Sequence, residues 1–489
     1  MCVSDGTREL TYRELADRAG GLAVRLRAAG VQFGTPVAIF LRNSIEAVWA
    51  SYGVKIAGAA VMPLNADLSE DERRYCITLT RARHVVTTAI QRPFFDAVGA
   101  TTIAVDDVMR DSKILAELPP VPASAWGHIG FTSGTTGRPK AIVHTHEARW
   151  LGNLLQRASL PMTPGPGRKV LLMTPFSHGA SLITFAYLDP GAAVVLLDGV
   201  DLPVVERLLT GRLVDQIFAP PTVLAKLAQA FEGRHFSGID TVFCGTSTLT
   251  PALYDKARRL FGTVVRVTYG KSEIVNPITV LPPEACDLYY REVGSQEGAC
   301  VGWPASGVEV DIVGDDGRRV ATDEIGEVHL RAQHMLCGHI DAGGFHPVEP
   351  DGWHATGDLG RVDALGRLHL VGRVGDVIKS GGYKIYPEEI ERVLAPCASA
   401  LVVVTLPSQY WGEVIVAVAE APSQDWEQRA RQALTALAKY KHPRAFVAVE
   451  HLPRNPQGKI RRADVRARIL ADWQLVDGAR PSLLRRYER

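Results

Sequence analysis

Between residues 130 and 140 the chain reads Gly130-Phe131-Thr132-Ser133-Gly134-Thr135-Thr136-Gly137-Arg138-Pro139-Lys140. Strand-like residues lead into a loop of hydroxyl side chains and glycines, closed by a lysine. Glycine lets the backbone approach a phosphate group closely, hydroxyl and N–H groups donate to its oxygens, and Lys140 adds positive charge. The chemistry that suits this pattern is phosphate binding. It is not a P-loop of the Gly-x-x-x-x-Gly-Lys-Ser/Thr type, because that spacing is absent. Ser, Thr and Gly also make surface linkers, so composition leaves two readings open, and the order of residues has to decide between them.

That order resembles the phosphate loop of the adenylate-forming superfamily: acyl- and aryl-CoA synthetases, nonribosomal-peptide adenylation domains and beetle luciferases. Five further segments resemble the superfamily's motifs in the same order along the chain. They are Ala57-Gly58-Ala59-Ala60-Val61-Met62-Pro63-Leu64; Tyr269-Gly270-Lys271-Ser272-Glu273; and Gly352-Trp353-His354-Ala355-Thr356-Gly357-Asp358. Next comes the junction from Gly372-Arg373 through Ile378-Lys379-Ser380-Gly381-Gly382 to Ile385-Tyr386-Pro387-Glu388-Glu389-Ile390-Glu391. Last is Leu452-Pro453-Arg454 with Gly458-Lys459-Ile460. The resemblance covers roughly residues 8–465.

It implies two steps: a carboxylate attacks the α-phosphate of ATP to give an acyl-adenylate and pyrophosphate, and a second nucleophile, usually a thiol, displaces AMP. Two anions must meet, so the site needs cations and hydrogen-bond donors around the phosphates. By resemblance, Thr132, Ser133, Thr135, Thr136 and Lys140 hold the β- and γ-phosphates, with Gly134 and Gly137 letting the loop fold. Glu273 is the Mg²⁺ ligand, a hard oxygen donor for a hard cation. Ser272 contacts the α-phosphate, Tyr269 stacks on adenine, Asp358 accepts from the ribose hydroxyls and Arg373 supports the ribose. Lys459 bridges carboxylate, ribose and α-phosphate as charge develops.

The acyl side is marked more faintly. Phe176-Ser177-His178-Gly179 resembles the segment whose histidine or aromatic gates the carboxylate pocket, so His178 is a catalytic and substrate-binding candidate. Ala219-Pro220-Pro221-Thr222 and Cys244-Gly245-Thr246-Ser247 are expected to line the acyl and adenine pockets, with Gly245 and Thr246 on the nucleotide and Ser247 on the acid. Lys271 either meets a second anionic group of the substrate or points to solvent. Some positions depart from the pattern: Ala141 replaces a common glycine, His339 stands where Gly-Tyr is usual, and Gly375 occupies the expected hinge, where Asp or Lys is common. The first capping box comes early, which implies a trimmed periphery beside the superfamily's usual leader.

Positioning these groups requires a layered scaffold. Thr11 and Glu14 form a capping box; Leu15, Ala19, Leu22 and Leu26 then share a helical face, and Gly30 supplies the stop. Short apolar runs alternate with helical stretches: Val37–Leu41, His84–Thr87, Val170–Met173, Ala193–Leu197, Gln216–Ala219 and Val264–Val267. Such runs read as strands buried on both faces of an α/β core. Residues 301–372 are rich in Gly and Asp, with strand-like Val308–Val313 and Glu327–Arg331, and read as a β-rich subdomain. Beyond them, Leu401–Thr405, Val414–Val418 and Phe446–Val449 are strand-like, and Pro387–Val393 and Trp426–Ala438 helix-like. The expected fold is a large multi-subdomain α/β body over residues 1–373 and a small mobile α+β lid over 374–489 that carries Lys459.

Composition narrows the function further. The 489 residues hold 54 Lys+Arg against 53 Asp+Glu, so no broad basic surface for nucleic acid or anionic membrane is expected. No apolar run approaches the roughly 18 residues of a membrane span. The opening Met1–Glu9 is too polar for a signal peptide. Seven cysteines without C-x-x-C spacing suit a reducing cytoplasm.

The expectation is a cytoplasmic ATP- and Mg²⁺-dependent acid–thiol ligase, with CoA or the phosphopantetheine of a separate carrier protein as acceptor. Two alternatives stand beside it: adenylation of a small or inorganic acid such as nitrite with capture by an amine, and a degenerate adenylate-binding protein.

Overall fold

A computed structural model describes residues 1–110, 119–132, 140–245, 247–292, 299–349, 352–455 and 458–486, with the backbone but not the side chain of His178. The chain forms two compact units. One comprises Met1–Leu288, Gly302–Glu309 and Arg331–Trp353; the other comprises Tyr289–Val301, Val310–Leu330 and His354–Arg489.

The first unit is built on two large sheets. In one, Val265–Val267, Thr241–Cys244, Gln216–Phe218, Lys169–Leu172, Ala193–Leu196 and Val3–Ser4 run parallel, with Glu9–Leu10 antiparallel at the edge. The other has the order Gly344–Pro347, Gly338–Asp341, Lys140–Thr145, Trp126–Thr132, Ala60–Pro63, Pro36–Ile39, His84–Thr87, Thr101–Ala104. Its second half is parallel and its first half antiparallel. The apolar runs of the sequence become the parallel strands because βαβ crossovers cover both faces with helices.

The first helix, Tyr12–Ala28, starts as expected. Thr11 accepts from the Glu14 N–H and Glu14 reaches back to the Thr11 N–H; Leu15, Ala19, Leu22 and Leu26 are buried; Gly30 follows at φ +86°. Together with Ile45–Ile56 and Ser181–Leu188 it fills a core shared by residues of both sheets, Leu172 and Leu196 from one and Val37 and Ile39 from the other, with Trp49 and Phe185 from the helices.

In the second unit His354–Val362 pairs antiparallel with residues 326–330 of the strand Gly326–Ala332 and with Leu368–Arg373, which is the expected β-rich region. A second sheet runs Tyr383–Ile385, Ile378–Ser380, Gly412–Glu420, Leu401–Ser408, with Ala445–Val449 parallel to Gly412–Glu420. Helices Pro387–Leu394 and Trp426–Ala433 cover one face and Arg462–Asp472 the other.

One helix is shorter than its pattern predicted. The run expected to reach Ala438 ends at Ala433 and tightens into a 3₁₀ turn, Leu434–Ala436. Thr435 Oγ1 donates to the Gln432 carbonyl at 2.7 Å, and the Leu437 N–H bonds to Leu434. A hydroxyl competing for a late carbonyl favours such an ending. Among the described residues no helix is long and apolar enough to cross a membrane, and all seven cysteines are free, six of them buried.

Candidate active site

The expected phosphate loop joins two paired strand ends. Trp126–Thr132 and Lys140–Thr145 form an antiparallel hairpin in which Thr132 lies directly opposite Lys140. Side chains opposite one another in such a pair share a face. The hydroxyl that opens the loop and the lysine that closes it are therefore held side by side by the sheet. Ser133, Gly134, Thr135, Thr136 and Gly137 lie outside the described residues, as does Thr246.

The segment that carries Tyr269 and Glu273 is irregular but tied down by its main chain. The Tyr269 N–H donates to Thr279 Oγ1 at 3.1 Å, and the tyrosine is 7% exposed. Farther along, the Leu336 N–H donates to the Glu273 carbonyl at 2.8 Å, and the Val275 N–H to His334 at 3.0 Å. Glu273 thus extends from a fixed backbone and is half-buried, while Lys271 is half-buried and Ser272 exposed. Its carboxylate offers the hard oxygen that Mg²⁺ prefers, so the donor chemistry at this position fits the ion. Beside this segment His144 is fully covered, and burial, with the charge of Arg149, pushes its pKa down to about 3. A neutral imidazole there adds no cation to the neighbourhood of Glu273.

Gly245 has a packing reason. A Cβ placed on it would sit 3.0 Å from Thr268 Cγ2 and 3.1 Å from the Thr268 carbonyl oxygen, so a larger residue would have to push Thr268 aside by a few tenths of an ångström beside the strand ends Thr241–Cys244 and Val265–Val267. Ser247, two residues on, is exposed. Phe176–Ala180 forms a π-helical turn that leads into Ser181–Leu188, and this turn carries His178. Asn43 secures it: its Oδ1 accepts from the Phe176 N–H at 2.7 Å, and its Nδ2 donates to the Thr174 and Leu197 carbonyls at 2.7 and 2.8 Å. Sequence reading missed Asn43, whose only local signal is its place just before a helix N-cap.

In the second unit Asp358 and Arg373 face each other across the strands His354–Val362 and Leu368–Arg373. Arg373 Nε lies 3.2 Å from Asp358 Oδ1; the aspartate side chain is 9% exposed and the arginine 66%. The aspartate is therefore the fixed partner and the guanidinium the accessible one. Gly357 precedes it at φ +72°, a conformation that side chains avoid, and its N–H donates to Glu327 Oε1 at 2.9 Å. That explains the glycine in Thr356-Gly357-Asp358.

Lys459 sits in a tight turn. Its N–H donates to Asn455 Oδ1 at 2.9 Å, its carbonyl accepts from the Asn455 N–H at 2.8 Å, and Gly458 stands at φ +79°. Arg454 braces the turn by reaching the Gly458 carbonyl and Glu420, both at 3.2 Å.

The carboxylate-rich cluster around Arg462 was also missed by sequence reading. Its guanidinium meets Glu391 at 2.7 Å, Glu388 at 3.0 Å and Asp376 at 3.4 Å. Burial pushes the Glu388 carboxyl up to about 7, against the pull of Arg462. Three carboxylates around one guanidinium cannot all ionise without net repulsion. The available signal was the doubled Arg461-Arg462 following Lys459-Ile460, and the acids in the first turn of Pro387–Leu394.

A family model described as AMP-binding enzyme matches residues 1–339, more than half of the chain. The chain belongs to that family. This AMP-binding enzyme is 29% identical over 480 residues to a 2-succinylbenzoate–CoA ligase of Bacillus licheniformis, covering 94% of this chain and 95% of the relative. It is also 29% identical over 490 residues to a feruloyl-CoA synthase of an Amycolatopsis species, at 96% and 95% coverage. Among solved structures, O-succinylbenzoate coenzyme A synthetase of Bacillus subtilis in complex with ATP and a magnesium ion superposes with a TM-score of 0.81. It is 26% identical, covering 94% of this chain and 95% of that one.

The expected class of activity stands on these findings. The AMP-binding enzyme is an AMP-forming acid–thiol ligase that activates a carboxylic acid as its acyl-adenylate, releases pyrophosphate and passes the acyl group to a thiol.

Proposed function

We propose that this AMP-binding enzyme is a CoA ligase, dependent on ATP and Mg²⁺, for a carboxylic acid bearing polar or aromatic groups. The observation that carries the choice of CoA is the end-to-end match to ligases named for CoA, at 94–96% of this chain. The junction supports it. Gly381 and Gly382 stand at φ +56° and +83°, and a Cβ on Gly381 would meet the Trp411 ring at 3.1 Å. Small residues held at such a place leave room for a slender pantetheine arm. The polar Ser247 and Lys271, where an aliphatic pocket would put apolar groups, favour a polar acid over a plain fatty acid.

Each residue then has a task. Thr132 and Lys140, fixed opposite each other, hold phosphate oxygens together with the hydroxyls of the loop between them. Tyr269 offers a ring face to the adenine. Asp358 accepts from the ribose hydroxyls, and Arg373 supports it from across the strand pair. His178 gates the carboxylate. Glu273 holds the metal, and Mg²⁺ when bound neutralises phosphate charge. Lys459 supplies the cation that lets a carboxylate approach the α-phosphate. Residues 374–489 act as a lid that brings Lys459 in for the first step and withdraws it for the second.

The test is a panel of acids assayed for pyrophosphate release, then for acyl transfer to CoA or to carrier-bound phosphopantetheine. Release with an aryl or dicarboxylic acid and consumption of CoA are expected. Preference for long alkanoates would overturn the substrate class, and transfer to a carrier alone would overturn the acceptor.

A further inference from the structure

His339, which stands where Gly-Tyr is usual in the superfamily the chain resembles, has no task in the function proposed above. It lies on Gly338–Asp341, which pairs antiparallel with Gly344–Pro347 so that His339 is directly opposite His346. Alternate residues of a strand share a face, as do opposed residues of a pair, so His339, Asp341 and His346 project the same way. The two imidazoles stack with centroids 5.0 Å apart and planes 23° from parallel. Asp341 lies 2.8 Å from His346 Nε2 and 4.0 Å from His339 Nε2. One ligand atom from each of the three residues falls within a 4.8 Å span.

The hairpin is well braced for its size. Asp341 Oδ1 also accepts from the Gly343 N–H at 2.8 Å, which fixes the carboxylate. A Cβ on Gly338 would lie 2.4 Å from the Phe345 ring, and that ring rests on Trp126 at 4.9 Å. Hydrogen bonds join Gly338–Asp341 to Lys140–Thr145, with His339 opposite Ile142 and Ile340 opposite Ala141. Continuing that register by one residue puts Asp341 opposite Lys140, at the closing end of the phosphate loop.

Two imidazoles and one carboxylate, with no thiolate, suit a borderline divalent ion such as Zn²⁺ or Ni²⁺; Mg²⁺ prefers oxygen donors alone. Ligands about 2 Å from a tetrahedral ion lie on the order of 3.3 Å apart, and the spacings here bracket that value. We propose that His339, Asp341 and His346 form a three-ligand site for a borderline divalent transition metal, with at least one coordination position open to water or an anionic oxygen. Its three ligands do not include Glu273, and it does not depend on the identity of the acid or the acceptor.

The test is calorimetric titration of the full chain with NiCl₂ and ZnCl₂ in buffer already holding saturating Mg²⁺, alongside Asp341→Asn and His346→Ala. Wild type is expected to bind one equivalent that both variants lose or hold at least about tenfold more weakly. Melting temperatures without metal should stay at the wild-type value, which separates lost ligation from lost folding. Titration with Co²⁺ should give the absorption of nitrogen and oxygen ligation with no thiolate charge-transfer band. No binding by wild type, equal isotherms for wild type and both variants, or a thiolate band would each overturn the proposal.

Discussion

Glu273 separates two jobs that one residue often combines. Its main-chain carbonyl is committed to the Leu336 N–H, while its carboxylate extends from a half-buried position. Truncating the side chain should therefore spare the fold and remove the proposed metal ligand. Glu273→Ala is expected to lose at least about 100-fold in Mg²⁺-dependent pyrophosphate release, on the order of 3 kcal/mol of transition-state stabilisation. The melting temperature should be unchanged. Activity near wild type across a Mg²⁺ titration would show that the metal is held elsewhere. Glu273 was legible from sequence because it is the one acid in Tyr269–Glu273, within a motif whose neighbours also match. Asn43 and His144 were not, since their importance comes from contacts with strands and loops far along the chain.

At the scale of elements, the cluster that joins helix Pro387–Leu394, helix Arg462–Asp472 and the turn Val374–Asp376 has one cation for three carboxylates. Glu388 is the member that burial favours in its neutral form, with a pKa near 7 against the ordinary 4.5. The sign follows from proton counting. Between those values the folded chain binds more proton than the unfolded one, so stability falls as pH rises through the window. Above about pH 7 the ionised group costs on the order of 1–2 kcal/mol, allowing for its partial exposure. Glu388→Gln removes the titration while keeping an acceptor for Arg462. Its melting temperature is expected to gain on wild type as pH goes from 5 to 8; a constant difference over that range would mean that burial does not raise the Glu388 carboxyl.

At the scale of the whole molecule, the proposed alternation of half-reactions rests on Lys459. On that proposal its ammonium is needed while carboxylate meets α-phosphate, and not once the adenylate exists. Lys459→Ala is expected to slow adenylate formation by about 100-fold or more, and to leave transfer from a chemically prepared acyl-adenylate nearly unchanged. Rapid-quench measurement of both half-reactions on one preparation decides the matter, and equal losses would make Lys459 a structural residue of its turn. Gly375 bears on the same question. A Cβ there meets nothing within 4 Å, so neither packing nor backbone conformation demands glycine at the expected hinge. Its use in place of Asp or Lys leaves that joint freer.

The capping box at Thr11 and the apolar runs that become Pro36–Ile39, His84–Thr87, Lys169–Leu172, Ala193–Leu196, Gln216–Phe218 and Val265–Val267 are determined by residues within a few positions of one another. Caps and hydrophobic periodicity act over one or two turns, so a linear reading reaches them. Only the tertiary structure placed Thr132 opposite Lys140, Asp358 opposite Arg373 and His339 opposite His346, and gathered Asp376, Glu388 and Glu391 around Arg462. Register between strands and the burial of a charge depend on which distant segments pair. The free energy of those pairings belongs to packed sheets and desolvated clusters, and no short stretch of sequence contains it.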